Sequence, residues 1–313
     1  MRAQKFCRTR IVCGFFFGLV FLLSFSAAAL AQVVVAQISD THLAEKHAPH
    51  AAENLRHAVQ MINDRHPDVV ILSGDIGENP QAWEEAQSIL KRLQAPLYYV
   101  PGNHDVHSSD LERYRSAFGR DYYSFRVKYV TFVVIDSQLL GNYDVYEAKQ
   151  PTPLSPQTEE ESERMLSWLA TAADKNDVDE GGIGKNRRSD KRKPDKDRPR
   201  ELDGDDSGSR VVIGVQHIPV FPDGRFPDPK PYWVVSEPYR SQEIRRLHQL
   251  GIKDMLVGHW HTGRMFEREG ITWHVAPSTS WLPWGGELGF AMHTIAPDGS
   301  VRTEFVDLPG ARP

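Results

Sequence analysis

The ten residues Tyr98–His107, YYVPGNHDVH, pass from an apolar run into a polar cluster within one turn. Leu97–Val100 reads as a short buried strand, and Pro101-Gly102 is the turn signal that ends it. Asn103, His104 and Asp105 follow at once. One such tripeptide is accounted for by a hydrogen-bonded loop. Recurrence at other strand ends is not, and the chain repeats the arrangement. QISDTH places Asp40 and His42 after a first strand, and ILSGDIGEN places Asp75 after a second. VVIGVQHIP places His217, and MLVGHWHTG places His259 and His261, after two later ones. In open α/β sheets, ligands bind outside the carboxyl ends of the strands, so all five clusters can converge on one rim.

The rest of the chain supplies the frame. Apolar, β-branched runs predict strands at Val33–Ile38, Val69–Leu72, Leu97–Val100, Val130–Ile135, Val211–Val215, Met255–Val257 and Ile271–Val275. Helical periodicity falls between several of them, at Asn54–Asn63, Gln81–Leu93, Thr158–Ala173 and Ser241–Leu250. Early alternation of strand and helix reads as α/β with parallel strands, and the later part is richer in strands. No internal repeat is visible. With 313 residues a substantial core is possible, and a formal net charge of -5 gives no sign of a nucleic-acid binder.

Two segments stand apart. Residues 1–31 carry Arg2, Lys5, Arg8 and Arg10, then an apolar run from Ile11 to Leu30 and Ala29-Leu30-Ala31 before Gln32. That is the pattern of a secretory signal peptide. An uncleaved membrane anchor is the rival, since the run approaches a bilayer span. The first strand begins almost directly after Ala31, leaving no linker, which favours cleavage and a domain of residues 32–313 exported to the periplasm or the exterior. Both cysteines, Cys7 and Cys13, lie in the leader, so the mature chain is expected to have neither thiol nor disulfide. The second segment, about 174–210, is dense in both charges and glycine with almost nothing apolar. Such a composition buries too little surface to offset ordering entropy and predicts a disordered insertion. Its KNRRSDKRK run has equal acidic flanks, which mute an anion-binding reading.

The five clusters offer carboxylates, imidazoles and one amide, without thiolate. That set suits borderline divalent ions such as Mn, Fe, Zn or Ni. It is large enough for two ions, and pairs about 3.5–4 Å apart serve hydrolytic displacement at phosphorus, one polarising the ester and the other helping to generate hydroxide. The glycines in SGD, PGNHD and VGHWH allow close approach of backbone and ligand.

The order D-x-H, G-D, G-N-H-D, H, G-H-x-H resembles the calcineurin-like metallophosphoesterase superfamily across residues 33–307, apart from the insertion. SGDIGENP, VPGNHDVH, DYYSFRV, IDSQL and HIPVF…YWVV, leading to GIKDMLVGHWH, resemble its calcineurin-like phosphoesterase domain-containing protein 1 group. Class III cyclic-nucleotide phosphodiesterases are a more distant likeness. The resemblance implies a four-layer α/β/β/α sandwich of two mixed sheets flanked by helices. It implies one divalent ion held by Asp40, His42, Asp75 and His261, and a second by Asp75, Asn103, His217 and His259. His104 would then face the phosphate and stabilise charge or protonate the leaving alkoxide, with Asp105 orienting its ring. Purple acid phosphatases place a tyrosine where this chain has Glu78, so a ferric site is not implied. The export signal also sets the chain apart from the intracellular group, so a cytosolic protein-phosphatase role does not transfer.

Loops leaving the same strand ends carry Tyr143, Tyr146, Phe221, Phe226, Trp233, Trp281 and Trp284, with Arg225 as a candidate phosphate clamp. Long loops of this kind often wall a site. His47, His50, His107 and His274 read as surface or core histidines. The expected activity is hydrolysis of small-molecule or protein phosphate esters, phosphomonoesters first. The alternatives are a phosphodiesterase acting on cyclic nucleotides or glycerophosphodiesters, and a scaffold that binds metal without catalysis.

Overall fold

The computed structural model describes residues 32–106, 111–172, 211–224 and 230–313. The expected leader, the charged insertion, His107, Arg225 and Phe226 lie outside them. Strands β1 (Val33–Ile38), β2 (Val69–Ser73) and β3 (Leu97–Val100) run parallel, joined by crossover helices α1 (Ala51–Asn63) and α2 (Pro80–Leu90). Asn79 accepts a hydrogen bond from Ala82 N–H, and Pro80 occupies the first turn, which fixes where α2 starts. After α3 (Leu111–Phe118), β4 (Tyr123–Val127) turns back on β5 (Val130–Val134). Helix α4 (Pro156–Leu169) follows, capped by Ser155. Then come β6 (Val211–Val215), α5 (Tyr239–Gln249), β7 (Asp254–Val257), β8 (Arg264–Arg268), β9 (Ile271–Val275), β10 (Gly289–Ile295) and β11 (Val301–Asp307).

These strands form two mixed sheets, ordered β11-β10-β1-β2-β3 and β4-β5-β6-β7-β9-β8. Their inner faces share one core. Val35, Ile71 and Tyr98 from the first sheet pack with Phe125, Phe132 and Ile213 from the second. Tyr98 stacks on Phe125 with ring centroids 3.6 Å apart, a contact worth about 1 kcal/mol beyond its burial. Because β1, β2 and β3 are mutually parallel, as are β5, β6, β7 and β9, each set delivers its carboxyl ends to one side. The α/β architecture of two mixed sheets with flanking helices agrees with the expectation from sequence.

Candidate metal centre

The five strand-end clusters meet. Asp40, His42, Asp75 and His261 form one group of potential ligand atoms, and Asp75, His217 and His259 form another, the atoms of each lying within 4.8 Å of one another. Asp75 belongs to both. Its Oδ2 is 3.1 Å from His217 Nε2 and 3.7 Å from His42 Nε2, while its Oδ1 accepts the His104 backbone N–H at 2.9 Å. Asp40 Oδ1 faces His261 Nε2 at 3.3 Å, and both Asp40 oxygens accept the His259 backbone N–H at 3.2 Å.

The local backbone explains how short loops bring these groups together. Asp40, His42, Asp75, His259 and His261, five of the seven expected ligands, have φ between 43° and 69°. The left-handed region costs a non-glycine residue about 1 kcal/mol or more, and such strain collects where function holds it in place. Three glycines complete the arrangement. A Cβ on Gly74 would strike the His217 ring, one on Gly102 would strike Asp75, and one on Gly258 would strike Ser39 and approach Asp40. The close-approach role expected for SGD, PGNHD and VGHWH is therefore observed.

The ring nitrogens are committed in a common pattern. His217 Nδ1 is 2.7 Å from the Ser73 carbonyl, His259 Nε2 is 2.9 Å from that of Tyr232, and His261 Nδ1 is 2.9 Å from that of Trp281. His42 Nδ1 instead meets the Glu45 carboxylate at 2.9 Å. Each imidazole is thus held by one nitrogen with the other left for the cluster, the usual support of a ligating histidine. Burial pushes His261 down to about 4 and His259 well below the ordinary range, which keeps both neutral and able to donate a lone pair. For Asp75, burial favours the neutral acid, but His217 and His104 outweigh it and hold the carboxylate ionised.

One buried atom tests whether the residues fit a cation. Asn103 Oδ1 has no hydrogen-bond partner among the described residues, although the Asn103 amide nitrogen donates to the Tyr232 hydroxyl at 3.1 Å. A buried acceptor without a partner costs about 1–3 kcal/mol, and an electrophile at that oxygen removes the cost. The donor set of oxygen and imidazole nitrogen fits a divalent ion.

One expectation is corrected. Asp105 does not orient the His104 ring. Its Oδ1 accepts from Ile76 and Gly77 N–H at 2.8 and 3.2 Å, and its Oδ2 from Gly102 N–H at 2.9 Å. It fastens the β3 loop to the β2 loop. His104 Nδ1 faces Glu45 at 3.4 Å and the half-exposed Glu78 at 3.3 Å. For His104, burial pulls the pKa down, but Asp75 and Glu45 raise it to about 10, so the ring is cationic near neutrality. Sequence reasoning missed Glu45, whose signal was its place three residues after His42. It also left His47 aside, yet His47 packs at a tilt against Trp281 with ring centroids 4.0 Å apart and lies 3.0 Å from Glu45.

Around this centre, Trp281 packs edge-on against His42 and His261, while Tyr232 and Trp233 pack against His259. Trp284 and Tyr146 stand outside them, both more than 40% exposed. Tyr143 is buried, and Phe221 packs against Trp273 and the core. His274 is a core residue bonded to Asp254 and Thr303, and His50 sits at the start of α1.

Comparison with known proteins gives the same picture. Serine/threonine-protein phosphatase CPPED1 of Homo sapiens is 25% identical over 219 residues, 65% of this chain and 57% of that protein. Glycerophosphodiester phosphodiesterase GpdQ of Enterobacter lignolyticus is 31% identical over 126 residues, 35% of this chain and 45% of that protein. The chain spans about half the length of these two curated relatives. The crystal structure of a dimetal phosphatase from Danio rerio shares the fold, with a TM-score of 0.60 at 14% identity over 88% of this chain and 96% of that one. The calcineurin-like phosphoesterase family model matches residues 33–263, a span that takes in all five clusters, and the chain belongs to that family.

Proposed function

We propose that the protein is an exported phosphohydrolase that uses two divalent cations and prefers phosphomonoesters. The observation that carries this reading is the pair of buried Asp/His groups sharing Asp75, with the unpartnered Asn103 Oδ1 beside the second. Asp40, His42, Asp75 and His261 would hold one cation, and Asp75, Asn103, His217 and His259 the other. When bound, such a pair supplies positive charge to the phosphoryl oxygens and lowers the pKa of the attacking water. The chain's own residues do the rest. His104, cationic and with Nδ1 facing the Glu45 carboxylate, presents its far nitrogen as a proton donor to the leaving oxygen. Trp281 on one side and Tyr232 and Trp233 on the other narrow the approach, which favours an ester with one organic group over one with two.

The likeness to a protein phosphatase supports the monoester reading, and the likeness to a glycerophosphodiester phosphodiesterase supports cleavage of diesters as the second reading. Metal analysis of the purified protein, with paired turnover of p-nitrophenyl phosphate and bis(p-nitrophenyl) phosphate under matched metal conditions, separates them. Two equivalents of metal and faster monoester turnover are expected. Faster turnover of the bis ester reverses the preference and leaves the metal assignment standing. Export is tested by the amino-terminal sequence of the secreted protein, expected to begin at Gln32.

A further inference from the structure

Three of the four imidazoles in the two cation groups are held by backbone carbonyls, and only His42 is held by a side-chain carboxylate. That carboxylate, Glu45, is buried, and its side chain is 5% exposed. Burying a carboxylate is costly unless it is paired, so its placement calls for a reason that a carbonyl could not serve. The reason is visible in its contacts. Glu45 Oε1 lies 2.9 Å from His42 Nδ1 and 3.4 Å from His104 Nδ1. One oxygen therefore meets a ring of the first cation group and the ring that faces the phosphate. The two rings stand edge to face, 88° apart with centroids at 4.7 Å, so they reach that oxygen from different directions. The loop is anchored on both sides of Glu45, whose N–H donates to His42 O at 3.3 Å and whose carbonyl accepts from Ala48 N–H at 3.1 Å. Glu78, which also meets His104 Nδ1, is half exposed and holds the ring less firmly.

We propose that Glu45 is a positioning residue that couples the first cation site to the proton-donating ring, one carboxylate oxygen fixing the tautomer of His42 and the aim of His104 together. Accepting the His42 Nδ1–H leaves Nε2 as the lone pair directed toward Asp75 and His261. The same oxygen turns His104 so that its other nitrogen meets the substrate. This rests on the two-cation reading above, and the experiment keeps the two apart.

Zn(II) titration of the chelator-treated full chain by calorimetry is run beside steady-state turnover of p-nitrophenyl phosphate, for the wild type, Glu45→Ala and Glu45→Gln. In Glu45→Ala, one Zn(II) affinity is expected to fall about 10–100-fold with the other unchanged, and kcat to fall about 100-fold with KM held within a few-fold. Glu45→Gln keeps an oxygen that accepts from His42, so it is expected to recover the affinity to within a few-fold while kcat stays about tenfold down. It also serves as the test should the alanine variant fail to fold. Loss of kcat with both affinities intact, loss of affinity with kcat at saturating Zn(II) intact, or no change in either overturns the coupling. A wild type that binds fewer than two equivalents defeats the two-cation reading instead.

Discussion

At the scale of single residues, the proposed reading separates groups that would hold cations from the group that would act on the substrate. His104→Ala is expected to retain both metal equivalents and lose about 10²–10⁴-fold in kcat, the usual share of a general acid. Asp75→Asn, which changes the carboxylate common to both groups, is expected to deplete both sites; equal metal loss in the two variants would refute the division of roles. Asp105 belongs to neither class. It joins two loops through three backbone N–H groups, so Asp105→Ala should lower unfolding stability by about 1–3 kcal/mol even without metal, measured by denaturant titration. That distinction was not legible in the sequence. The five clusters were, because residue type and position after an apolar run suffice to nominate them, and the family resemblance then picked the seven candidate ligands out of them. Which carboxylate faces the His104 ring depends on where the β1 and β3 loops cross, and the resemblance pointed to Asp105 rather than Glu45. The left-handed backbone at five of the ligands was equally hidden, since Asp and His do not advertise it as glycine does.

At the scale of elements, the strands and helices that deliver the centre were those whose patterns are strongest. β1, β2, β3 and β6 are almost wholly buried runs, and α1, α2 and α4 carry clear apolar faces. β8 and β11 were not anticipated individually. Both alternate half-buried with exposed positions on the outer edges of their sheets, where apolar runs do not form. Neither was β10, a buried strand whose His293 bonds to Thr303 and Gln37, a polar pairing that only the fold reveals. Helix α5 hides a further oddity on its inner face. Glu243 is fully buried, with the Gln216 side chain as its hydrogen-bonding neighbour and no cation paired with it among the described residues. Burial pushes its pKa from 4.5 up to about 8, with the Gln216 side chain pulling the other way. The unfolded chain ionises this group near 4.5, whereas the folded chain keeps it protonated to about 8. Its contribution to stability is therefore complete below about pH 4.5, declines through the window between, and is lost above about 8. Glu243→Gln should flatten that slope and stabilise the protein at pH 8 by about 1–3 kcal/mol, read from denaturant melts at pH 5 and pH 8.

At the scale of the whole molecule, the two sheets set a polarity that decides which parts of the chain are free to vary. Every parallel strand in the set β5, β6, β7 and β9 sends its carboxyl end to the side of the candidate metal centre. β6 makes the consequence concrete. Its carboxyl end, Val215, leads within two residues to His217, whereas its amino end, Val211, follows directly on the charged segment. A strand of this length separates its ends by roughly 15 Å. The described chain therefore resumes after the segment, at Val211, on the side away from the candidate metal centre, and the segment's composition, charged throughout and nearly free of apolar residues, offers no surface for the core. Long insertions at such points cost little, because loop-closure entropy grows only with the logarithm of length. Replacing residues 174–209 with a short Gly/Ser linker is accordingly expected to leave kcat/KM for p-nitrophenyl phosphate within a few-fold and the unfolding midpoint nearly unchanged. A variant that folds and binds two equivalents of metal, yet loses activity, would mean that the segment reaches round to the rim and takes part in binding the substrate.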